Sequence, residues 1–157
     1  MVETEQKNSL HGGASNGIHK SKKVNYLLDS SALYALFEQE KGWEIVADAI
    51  QQGAVVAAPN YAEVLTLFAD KLIRERKKVN LETWHTAITE MGIDVIACDH
   101  KDALAAAKLR EKGRALGLSL GDRLALAIAQ RYGLVALTGD RKWKELKVSG
   151  IDVELFR

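Results

Sequence analysis

The sequence predicts an α/β fold in which a parallel sheet is covered by helices on both faces, and three observations lead there. Short apolar, β-branched runs recur along the chain from residue 24 onward. Longer segments between them carry helical spacing, and no internal repeat or coiled-coil heptad interrupts the alternation. Strands that alternate with helices build βα units, whose crossovers cover both faces of a parallel sheet. A length of 157 residues suits one hydrophobic core and a single domain.

Residues 1–23 lack periodicity and are rich in Gly, Ser, Asn and Lys, a composition that buries too little apolar surface to offset ordering; a flexible polar tail is expected there. Residues 12–21 come near a phosphate-binding loop pattern, but Ile18 and His19 interrupt its Gly-Lys step and no strand precedes it. Strands are expected at 26–28, 54–58, 94–98 and 134–137, with a weaker one at 151–155. Between them Leu33, Leu36 and Phe37 share one helical face, as do Val64, Leu67 and Phe68. Leu104, Ala107 and Leu109 mark the next helix, and Leu124, Ala127 and Ile128 another. Asn80 suits the N-cap of a helix through Met91, and Gly92 its C′ position.

Lys and Arg total 22 against 21 for Asp and Glu, a net charge of +1, so any nucleic-acid surface must be local. The single cysteine, Cys98, excludes an internal disulfide framework and points to a reducing compartment. It ends an apolar run, where a small core residue is expected. No apolar run is long enough to span a bilayer, and the first residues lack a signal-peptide core. The expectation is a soluble cytoplasmic protein with no membrane association.

The placement of the acids carries the chemistry. Asp29 directly follows the first apolar run, Glu63 lies about one helical turn beyond the second, and Asp140 follows the fourth after Gly139. These are the carboxyl ends of strands, where open α/β sheets bind their ligands. Asp122 sits near the start of a helix over 122–131, where the dipole favours an anion. Like charges about 4 Å apart repel by about 4 kcal/mol at an effective dielectric near 20. A divalent cation relieves that repulsion, and an all-oxygen set favours Mg²⁺ or Mn²⁺. Such a site suits phosphodiester hydrolysis. Asp29 and Asp122 are the expected direct ligands. Glu63 and Asp140 complete the shell, orient the water or hold a second ion. Ser30, Ser31 and Thr138 are placed to fix a carboxylate or touch phosphate, and Arg123 and Arg141, adjoining two of the acids, to draw phosphate in.

Other features read as structural. Asp99 with Asp102 forms a helix cap, and the cations Lys71, Arg74, Arg76, Lys77 and Lys78 suit a helix end. Trp84 and Trp143 read as packing residues. The histidines have no partner at metal spacing, and no Ser–His–Asp or Cys–His arrangement can be assembled. Aspartyl-phosphate chemistry would want a second acid two places after the first, where Ser31 stands.

Four segments carry a family resemblance. YLLDSSAL at 26–33 resembles the opening strand of PIN domains, and PNYAEVL at 59–65 is similar to their second motif. LSLGDRLALAIA at 118–129 resembles the third and LTGDRKW at 137–143 the fourth, all in order and with their acids intact. The compact length and the LSLGD wording look most like VapC-type toxins. The resemblance implies that residues 24–157 form one PIN-like nuclease domain, three-layer α/β/α with a central parallel sheet of about five strands. It also implies Mg²⁺-dependent endoribonuclease action on tRNA or rRNA, a homodimer, and a cognate antitoxin bound over the active site. The competing expectation is a catalytically silent PIN domain acting as an RNA-binding or protein-interaction module.

Overall fold

Five short strands pair in parallel: β1 (Tyr26–Leu28), β2 (Ala54–Ala57), β3 (Asp94–Ile96), β4 (Val135–Thr138) and β5 (Asp152–Leu155), in the order β3-β2-β1-β4-β5. The computed structural model describes residues 23–157. The tail expected over 1–23, the discounted phosphate-loop pattern, His11 and His19 lie outside the described residues, Lys23 excepted.

Register and pleat divide the core into two layers. Leu27 stands opposite Val55 and Ala136, while Leu28 stands opposite Val56 and Leu137. Successive side chains of a strand point to opposite faces. The first set therefore packs under α5 (His100–Lys108) and α7 (Leu120–Tyr132). The second packs under α1 (Ser30–Glu38), α2 (Trp43–Gln52), α3 (Ala58–Arg74) and α4 (Glu82–Glu90). The result is the three-layer α/β/α arrangement around a five-stranded parallel sheet. A short helix, α6 (Arg110–Gly113), follows α5, and a 3-10 turn spans Arg141–Glu145. Among the described residues no helix is long and apolar enough to cross a membrane.

The α1–α4 layer is keyed by aromatic rings. Phe68 stacks on Trp84 with centroids 4.0 Å apart, and Phe37 meets both edge-on. Trp143 is buried against the opposite layer, so both tryptophans pack as expected. Where α2 turns into β2, Gly53 adopts φ +104°, and a Cβ there would stand 2.2 Å from the Lys23 carbonyl oxygen. Its own carbonyl accepts the N–H groups of Asn25 and Tyr26, so this close approach sets the start of β1.

Several details differ from the sequence expectations. Helix α2 has no counterpart among them, although Val46, Ala49 and Ile50 lie at helical spacing on its inner side. In α5 the outer face carries Leu104 and Ala107, whereas Asp102 and Ala106 are buried. Small alanines and an ion-paired acid let α5 approach α7 closely, so hydrophobicity alone picks the wrong face. Asn80 caps nothing: α4 starts after Leu81, while Gly92 does take the left-handed conformation after Met91. Strand β3 ends at Ile96, which leaves Cys98 exposed rather than in the core.

Candidate functional site

The crossovers from β1 to β2 and from β4 to β5 leave in opposite directions, so the carboxyl ends of β1 and β4 flank the point where strand order reverses. Open α/β sheets have their crevice there. Asp29 leaves β1 into it. Its backbone N–H still donates to Leu137 O at 3.2 Å, and its side chain caps α1 by accepting the Ala32 N–H at 2.8 Å. The Thr138 hydroxyl donates to Oδ2 at 2.6 Å, and the Ser31 hydroxyl donates to the carboxylate at 2.8 and 3.0 Å. Those hydroxyls are themselves oriented. Ser31 Oγ accepts the Gly139 N–H, and Thr138 Oγ1 accepts the Asp140 N–H, each at 3.0 Å. Burial nevertheless dominates, pushing the Asp29 carboxyl up to about 6 against the three hydrogen bonds; the negative charge of Asp122 adds to the rise.

Asp122 arrives from the opposite helical layer. It is the third residue of α7 and closes a reciprocal cap with Ser119. Its Oδ2 accepts the Ser119 N–H at 2.7 Å, and Ser119 Oγ accepts the Asp122 N–H at 3.1 Å. Glu63 is exposed in the second turn of α3, slightly farther along than expected, and its Oε2 accepts the Ser30 hydroxyl at 2.6 Å. A Cβ on Gly121 would stand 4.0 Å from that same oxygen, so Glu63 reaches the start of α7 beside Asp122. Asp140 is exposed and caps the 3-10 turn through the Lys142 N–H at 3.0 Å.

The fold therefore brings Asp122 near Asp29 and Glu63 to the start of α7, while Asp140 follows β4 with its N–H on the Thr138 hydroxyl. Among the described residues no three His, Cys, Asp or Glu side chains converge closely enough to hold an ion by themselves. Ser30, Ser31 and Thr138 each hydrogen-bond a carboxylate. Arg123 Nη1 donates to the Ala106 carbonyl of α5 at 2.9 Å, and Arg141 is exposed on the 3-10 turn. Asp99 caps α5 with Asp102, as expected, and Arg131 pairs with both.

Two residues were passed over in the sequence reading. Asn60, in the first turn of α3, is fully buried with no protein partner for its carboxamide; a polar residue inside the PNYAEVL segment is the trace it leaves. Arg157 lies against Gly139, between Thr138 and Asp140, a proximity that only tertiary structure reveals.

Residues 26–148 match the family model of the PIN domain. The chain belongs to the PIN-domain family. No curated protein matches the sequence. This PIN domain is similar in fold to the DNA-bound VapBC of Salmonella typhimurium, with a TM-score of 0.65 and 15% identity over 86% of this chain and 100% of that one. It is likewise similar to a toxin–antitoxin complex from Klebsiella pneumoniae (TM-score 0.56, 20% identity, 81% and 95% covered). FitAcB from Neisseria gonorrhoeae gives a TM-score of 0.58 at 18% identity, with 82% and 95% covered.

Proposed function

We propose that this PIN domain is a divalent-cation-dependent endoribonuclease, the toxin of a toxin–antitoxin pair. The observation that carries the reading is the buried, hydrogen-bonded carboxylate of Asp29 at the strand-order reversal, with Asp122 near enough to push its pKa up. The donor set fits Mg²⁺ or Mn²⁺. It is all oxygen, and Mg²⁺ keeps several waters and takes only one or two carboxylates from protein. Asp29 and Asp122 would be the direct ligands. The chemistry such an ion supplies is charge neutralisation and Lewis-acid polarisation of a phosphodiester oxygen.

The chain's own groups do the rest. Ser31 and Thr138 fix the orientation of Asp29, and Ser119 fixes Asp122. Glu63, steadied by Ser30, faces solvent and is placed to orient the attacking water. Asp140 completes the rim. The RNA substrate (a tRNA or rRNA), the cognate antitoxin and a homodimer are supported by the resemblance to VapC-type sequences. The structural likeness to VapBC and to a toxin–antitoxin complex supports the antitoxin partner.

Cleavage of a labelled RNA in Mg²⁺ tests the proposal. Activity is expected to vanish in EDTA and in Asp29→Asn or Asp122→Asn protein that retains its circular dichroism. Folded protein that cleaves in EDTA would overturn the metal role. Folded wild-type protein that binds RNA yet leaves it intact in Mg²⁺ and Mn²⁺ would return the chain to a silent PIN module.

A further inference from the structure

We infer that Arg157 is a phosphate-binding residue of the site, holding the RNA strand beside the acids; this rests on the ribonuclease reading above. Acids without a bound ion repel a phosphodiester, and a protein cation beside them offsets that repulsion. Arg123 is turned to the Ala106 carbonyl. Arg157 is packed against the loop that carries the site: a Cβ on Gly139 would stand 2.8 Å from its Nε and 3.0 Å from the Phe156 ring. A side chain at 139 would push the guanidinium away from where it stands. Gly139 N–H donates to Ser31 Oγ, and Ser31 Oγ donates to Asp29, so two short hydrogen bonds separate that loop position from the buried carboxylate.

The guanidinium is also pre-positioned. Phe156 is buried and anchors the backbone, and the Arg157 Cζ lies 5.1 Å from its ring centroid. Nη1 pairs with Glu40, and both side chains keep about a third of their surface in water, 36% and 37%. An ion pair so exposed holds an orientation with little energy and yields readily to a competing anion. Arginine's further donors, in a fixed fork, match a phosphate bidentately.

Anisotropy titrations of a fluorescein-labelled single-stranded RNA, in EDTA to prevent metal-dependent cleavage and across a KCl series, test this. Arg157→Gln is expected to weaken binding severalfold at low salt and to flatten the log–log salt slope by about 0.7, the value of one phosphate contact on a single strand. Glu40→Gln removes the same ion pair but keeps the cation, and is expected to bind as tightly as wild type or more so. In Mg²⁺, Arg157→Gln is expected to raise KM and leave kcat near wild type. An unchanged affinity and slope in Arg157→Gln would overturn the assignment and leave the ribonuclease reading standing. Equal weakening in Glu40→Gln would overturn it too, by showing that the pair only braces the fold. A flattened slope in a protein that never cleaves would sink the nuclease reading and keep Arg157. A wild-type protein that binds no RNA would overturn both.

Discussion

Asp29 makes folding and cation binding answer to the same proton. Its carboxyl sits at about 6 in the folded chain against 3.8 as the ordinary value. The folded state thus holds this proton more tightly than the unfolded state. The corresponding stability is fully present below about pH 4 and is lost as pH rises through 6. Other carboxylates titrate in the same range, so the comparison is with Asp29→Asn. In urea melts without divalent metal, the variant should gain about 2 kcal/mol on wild type between pH 4 and pH 7.5. A constant difference across that range would refute it. Under the metal reading, Mg²⁺ should raise the neutral-pH melting temperature of wild type and leave Asp29→Asn unmoved. Thr138→Val keeps the shape of residue 138 and removes the hydroxyl donated to Asp29 Oδ2. It should weaken Mg²⁺ binding about 10- to 100-fold, measurable by calorimetry.

At the scale of elements, the caps separate what local sequence dictates from what packing decides. Ser119 and Asp122 close the first turn of α7, so Ser119→Ala should cost about 1 kcal/mol in chemical denaturation. Asn80 looks like an equally good cap in sequence, yet it stands outside α4 and is exposed. Asn80→Ala should change stability by less than about 0.5 kcal/mol. A cost equal to that of Ser119→Ala would place the start of α4 one residue earlier. The same division explains how much of the fold was legible. Strands buried on both faces announce themselves as short apolar runs, and acids at their ends follow from chain order alone. Helix α5 was misread because its inner face is Asp102 and Ala106, polar and small, while Leu104 faces out. The carboxylates that follow the strands were legible for the same reason as the strands. Arg157 was not, because its nearness to Gly139 is a property of the β4–β5 edge rather than of any local pattern.

On the scale of the whole molecule, one aromatic cluster ties the helices of the α1–α4 layer to one another. Phe68 is fully buried and touches rings from α1 and α4, so Phe68→Ala should cost about 3–5 kcal/mol. The unfolding transition should stay single, as one core joined through one sheet requires; a split transition in calorimetry would show the α1–α4 layer melting alone. The sheet order has a further consequence, for how the protein comes into being. Thr138 meets Asp29 across 109 residues of chain, and Gly139 meets Ser31 across 108. The central strand β1 is made well before its partner β4. A nascent chain still short of β4 has the acids of its early segments but neither the Thr138 hydroxyl that aims Asp29 nor the Gly139 N–H that orients Ser31. An enzyme that attacks RNA would be synthesised amid its own potential substrates. For such an enzyme the order of translation would keep the blade unassembled until β4 is made.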